Sequence, residues 1–108
     1  MSTLLPEDRL VLKALADAHD CPEIPRAVPI WIYGTEGDLQ LVSQRLEAAN
    51  WSFTDVVESQ DDRLMINAER QQRTSEQEII EMSAEIEILL AGTAADYDGW
   101  ETSVEKAN

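Results

Sequence analysis

The chain of 108 residues has one cysteine, one histidine, four glycines and few bases. A single cysteine, Cys21, excludes an internal disulfide, whereas a small secreted domain ordinarily carries several. A structural zinc site needs about four ligands at recognisable spacing, which His19 and Cys21, two residues apart, cannot supply. A Cys–His nucleophile pair is assembled from distant parts of a fold together with an orienting group, so these near neighbours do not suggest one either. Four scattered glycines leave no phosphate-cradling loop. No apolar run approaches the ~20 residues of a membrane span. The N-terminus, MSTLLPEDRLVLK, brings acids early and lacks a signal-peptide core, so the reading is cytoplasmic. Eight Lys and Arg stand against 22 Asp and Glu, for a net charge of −14 and a pI near 4.1. Such a surface repels phosphate backbones and anionic lipid, so direct nucleic-acid binding and membrane docking are disfavoured. A basic protein or basic peptide segment is the natural electrostatic partner, and solubility is the plainer use of the same charge.

The acidity is uneven. Residues 1–54 hold eight acids and four bases, and residues 55–108 hold fourteen acids and four bases. At 44% apolar the chain can build a core, and its length suits one domain. The expected organisation is a single domain over 1–108, with an N-terminal helix (1–21), a Pro-rich connection (22–29) and a core over 28–105. Pro6-Glu7-Asp8 opens the first helix, since proline suits the first turn and acids favour the positive helix end. Val11, Leu15 and Ala18 form its apolar stripe, and it ends near His19. Pro22, Pro25 and Pro29 forbid a helix through the next stretch.

Val28 to Gly34 reads as a strand. Thr35, with Asp38 three residues on, caps a helix whose apolar face is Leu39, Val42, Leu46 and Ala49, and Asn50 closes it. Trp51–Val57 and Arg63–Glu69 read as a hairpin of strands around a turn at 60–62. Thr74 and Gln77 form a second capping box. Ile79, Met82, Ile86 and Leu90 follow as one face, with Glu76, Glu78, Glu81, Glu85 and Glu87 between them. Gly92 stops this helix, and Tyr97–Val104 is a last strand. After the first helix the order is β-α-β-β-α-β. That pattern predicts an α+β, ferredoxin-like antiparallel sheet with two helices on one face. Trp31 and Tyr33 share a face of the first strand. An open sheet face with aromatics is used by RNA-recognition domains, but their basic signature is absent here and the charge is wrong.

Chemistry is sparse. Asp96-Tyr97-Asp98-Gly99 is a poor calcium loop, because the first acidic position is Ala94 and a helix–loop–helix is missing, although Glu105 stands at the right distance. Carboxylate pairs are so abundant that no one pair is distinguished as an acid/base centre. No catalytic residue is assigned, no metal and no cofactor. Tyr97-Asp98-Gly99-Trp100 is different in kind. Glycine inside a strand marks a bulge or a close backbone approach. Tyr97 and Trp100 are then either core residues or interface anchors.

This run, Asp96-Tyr97-Asp98-Gly99-Trp100-Glu101-Thr102, ends a βαββαβ chain and resembles the regulator of ribonuclease E activity B (RraB) family. Val28–Tyr33 followed by Thr35–Asp38 resembles the family's first strand and capped helix. Ala48–Trp51 resembles its helix exit, and the charged, Leu-rich first helix also fits. The resemblance implies a cytoplasmic bacterial protein that binds ribonuclease E, inhibits RNA cleavage and needs no cofactor. The expected function is therefore non-enzymatic regulation of a ribonuclease through an acidic surface. The expected partner-binding residues are Tyr97, Asp98, Trp100 and Trp31 as anchors, and Glu78, Glu81 and Glu85 as the acidic face, joined by the acids of 55–62. The alternatives are a small-ligand-binding or enzymatic domain on the same fold, or an acidic module for an unrelated basic protein.

Overall fold

The computed structural model describes residues 4–54, 56–58 and 63–106. Among them the chain forms α1 (Pro6–Asp17), β1 (Arg26–Gly34), α2 (Glu36–Ala48), β2 (Ser52–Phe53), β3 (Val57–Glu58), β4 (Leu64–Gln72), α3 (Glu76–Leu90) and β5 (Asp96–Trp100). The strands make one antiparallel sheet in the order β2-β4-β1-β5, with β3 also on β4. The turn expected at 60–62 lies outside the described residues.

Period-two alternation selects the buried face of the central strands. Val28, Ile30 and Ile32 of β1 and Ile66 and Ala68 of β4 are buried on that face. Leu39, Val42 and Leu46 of α2 cover it, as do Ile79, Met82, Ile86 and Leu89 of α3. In α3 the core position is Leu89 rather than the expected Leu90, which is only partly buried. Trp31 and Tyr33 alternate onto the other face and are half-buried.

Helix ends follow local chemistry. Thr35 caps α2, its hydroxyl accepting from the Asp38 N–H at 3.3 Å. The α3 cap falls one residue later than expected, on Ser75, whose hydroxyl accepts from the Glu78 N–H at 3.4 Å. The reason is that Thr74 is buried, with its N–H given to the Pro22 carbonyl, and Gln77 turns outward to Glu81. Thr74 and Gln77 are therefore not a capping box. Helices α1 and α2 end alike. His19 (φ 64) and Asn50 (φ 66) take the left-handed position. Behind them the Asp20 and Trp51 N–H groups bond back to Leu15 and Leu46, the pattern of a Schellman motif.

Two boundaries differ from expectation. β1 starts at Arg26, inside the expected Pro-rich connection, and carries Pro29 although it is a central strand. The Pro29 carbonyl accepts from Glu101 N–H at 3.2 Å. Its nitrogen therefore faces the β5 side, where ladder pairing has stopped at Trp100, and no donor is missed. For the same reason β5 ends at Trp100 and not at Val104.

Candidate functional site

Helix α1 closes the β5 side of the sheet, and the device that holds it there is a buried carboxylate. Asp8 is 2% exposed. It accepts a bond from Trp100 Nε1 at 2.9 Å and another from the Ser83 hydroxyl, so it joins α1 to β5 and α3. A buried carboxylate is costly unless hydrogen-bonded, and each Asp8 oxygen accepts one bond. Trp100 is accordingly a core residue, 5% exposed. Tyr97 lies opposite Ile32 and is partly buried, with its hydroxyl lacking a hydrogen-bond partner. Burial pushes its phenol well above the ordinary range, and the nearby Asp8 charge adds to that. Of the aromatic anchors expected from the sequence, Trp31 is the one on the outer sheet face.

Between Ile30 and Ile32 the register of β1 against β5 shifts, so Asp98 and Gly99 together oppose Trp31 as a bulge. Gly99 has φ 102, a conformation that L side chains rarely adopt. At the bulge lies a cleft of about 360 Å³ against α1, whose lining includes Glu7, Val11, Trp31, Tyr33, Asp98, Trp100 and Glu101. Beside it, the Arg63 guanidinium lies 4.6 Å from the Tyr33 ring centre and 3.5 Å from Asp96.

The expected glutamates fall elsewhere, on the helix-covered side. Glu78, Glu81 and Glu85 border a small groove with Arg70 and Gln72. Glu85 is engaged there, accepting from Arg70 at 2.8 Å and from Trp51 Nε1 at 3.0 Å. Burial pushes its carboxyl up, but these two donors outweigh that and hold it below the usual carboxylate range. Arg70 also lies 4.3 Å from the Trp51 ring centre. Nor is the outside of α3 a purely acidic face, since Ile88 there is 73% exposed. The residues expected from sequence thus separate: Trp31, Asp98 and the buried Trp100 line the cleft, Glu78, Glu81 and Glu85 lie with Arg70, and Tyr97 lies apart beside Ser83 and Leu90. Of the expected acids at 55–62, Glu58 is described and exposed, while 55 and 59–62 lie outside the described residues.

A second buried charge escaped the sequence reading. Arg26 pairs with Asp20, both side chains 2% exposed, and also donates to the Ile24, Cys21 and Ser103 carbonyls. Asp20 further accepts from the Glu105 N–H at 2.8 Å. Burial alone would raise the Asp20 carboxyl, but the Arg26 side chain and the Glu105 N–H outweigh it and leave it lowered. This knot ties the loop after α1 to the segment after β5. It also accounts for the lone histidine and cysteine: His19 is the left-handed residue that turns the chain into the knot, and Cys21 supplies it a carbonyl. Among the described residues no group of His, Cys, Asp and Glu could hold a metal ion. Both missed residues carried a sequence signal. Asp8 is in phase with Val11 and Leu15 on a helix, and Arg26 is in phase with Val28 and Ile30 on a strand.

Comparison with known proteins bears on what these surfaces serve. A search of the curated proteins finds no match. The family model described as "RraB: Regulator of ribonuclease activity B" matches residues 6–102, from the start of α1 to two residues past β5. The chain therefore belongs to the RraB family, regulators of ribonuclease activity.

Proposed function

We propose that the protein is a non-enzymatic cytoplasmic regulator that binds a ribonuclease E-like enzyme through acidic surface and inhibits RNA cleavage. The observation that carries this reading is the family match over residues 6–102. The net charge of −14 supports the mode of binding. Segments of a nuclease that attract RNA are basic, and an acidic protein competes for them by the same long-range attraction. On this reading the partner is a protein and the inhibitor masks its RNA-binding surface. The scaffold is a ferredoxin-like βαββαβ unit, if β2 and β3 are taken as one interrupted edge strand. The support for that is their common pairing with β4 and the remaining order β4-β1-β5.

The test is a pull-down from source-cell lysate at low and high salt, paired with an RNA-cleavage assay. Recovery of a ribonuclease E-like enzyme that fades as salt rises, with cleavage slowed by excess protein, is the expected result. Absence of nuclease from the eluate together with unaffected cleavage would overturn the proposal. The α3 acids are tested by Glu78→Gln with Glu81→Gln. Glu85 is left intact, because its loss would strand Arg70.

A further inference from the structure

We infer that the outer sheet face at Trp31 is the docking site for an arginine side chain presented by a basic segment of the partner. This rests on the reading above and adds where and by what chemistry contact is made. Twice within the molecule an arginine lies on an aromatic ring with a carboxylate beside it. Arg63 lies 4.6 Å from the centre of the Tyr33 ring, with Asp96 alongside. Arg70 lies 4.3 Å from that of Trp51, with Glu85 alongside. At Trp31 the same components recur: an indole on the outer face, with carboxylates of Glu7, Asp98 and Glu101 lining the same cleft. Among the described residues no arginine or lysine lies over that ring. The cation that completes this third arrangement comes from outside the chain.

The ring and its neighbouring carboxylates select arginine. Indole is the most favourable ring for a cation, and the planar guanidinium stacks on it while donating sideways to carboxylates. A lysine ammonium is a more strongly hydrated point charge and gains less from the ring. The cleft, about 360 Å³, is wide enough for a side chain to enter end-on from an extended segment. Its walls also suit the task, because the Asp98–Gly99 bulge stands opposite Trp31 and Asp98 is exposed. The molecule's net charge of −14 draws a basic segment to the surface, and the ring then discriminates within it.

The experiment titrates the intact protein with two synthetic peptides of equal charge, one alternating Arg and Gly and one alternating Lys and Gly. Binding is followed by calorimetry and by indole fluorescence. Trp51 lies outside the cleft but Trp100 also lines it, so the fluorescence change assigned to Trp31 is the part that Trp31→Leu removes. The arginine peptide is expected to bind several-fold more tightly than the lysine peptide. Asp98→Asn with Glu101→Gln is expected to weaken it by about tenfold. The charge-matched pair Glu23→Gln with Glu47→Gln, on exposed residues away from the cleft, is expected to change it less than about twofold. Trp31→Leu is expected to abolish the preference for arginine. Equal binding of the two peptides overturns the inference, as does equal loss in the two charge-matched variants. The peptide titration involves no nuclease. Arginine selectivity with no ribonuclease recovered from lysate therefore removes the proposed function and leaves the docking site. A nuclease inhibited equally by both double variants removes the docking site and leaves the function.

Discussion

A carboxylate on the apolar stripe of a helix destabilises the fold unless its oxygens are occupied, and Asp8 meets that condition through Ser83 and Trp100. Asp8→Ala strands the buried Trp100 donor and frees the half-buried Ser83 hydroxyl, and is expected to cost about 2–3 kcal/mol in urea unfolding. Tyr97→Phe is the contrasting case. The hydroxyl it removes is buried without a partner, so unfolding stability is expected to hold or rise. At Asn50 the backbone is left-handed at φ 66. Asn50→Gly is expected to add up to about 1 kcal/mol, read as a raised melting temperature, because glycine takes that conformation without strain.

Among the elements, β5 and the knot behind it set the geometry of the cleft. Gly99→Ala forces a side chain onto φ 102 and is expected to cost about 1–3 kcal/mol while weakening the arginine-peptide titration. Arg26→Ala leaves Asp20 buried and unpaired, and is expected to cost about 3–5 kcal/mol. The pH dependence follows from the same pairs. Asp20 and Glu85 are both held below their ordinary values in the fold. The unfolded chain therefore binds protons first as pH falls. The stability these carboxylates contribute is complete above about pH 4.5 and is lost as pH drops through their lowered folded values. Denaturant titrations at descending pH should trace that loss, and Arg70→Met should shrink the part due to Glu85. The two-residue β2 and β3 were legible only as one longer strand. Strand propensity in Trp51–Val57 does not encode where an edge strand breaks off its pairing with β4.

For the whole molecule the charge acts in two opposite directions. Self-repulsion among 22 acids opposes compaction, so added salt is expected to raise the melting temperature. The same screening is expected to weaken capture of a basic partner. A melting series and a binding series over one salt range should therefore run with opposite slopes. Parallel slopes would show that the partner is held by apolar contact, for which Ile88 and Leu10 are the most exposed large apolar residues among those described.

The sequence by itself determined the helices and the central strands, because these are written in local chemistry: the 3.6-residue stripes of α2 and α3, the period-two strands, Thr35 before α2 and Asn50 after it. It also determined the family, through the Tyr-Asp-Gly-Trp run and its surroundings, and the net charge. Only the tertiary structure decided which aromatic faces outward. Trp31 and Trp100 are both strand tryptophans that line the cleft, and the Asp98–Gly99 bulge, with Asp8 reaching in from a helix some ninety residues away, leaves one buried and the other half-buried on the outer face. It likewise decided which acids are spoken for, since Glu85 and Asp20 find their arginines across the fold rather than along the chain. Burial and pairing between distant segments are not functions of local spacing, and the separation of anchors from acids rests on both.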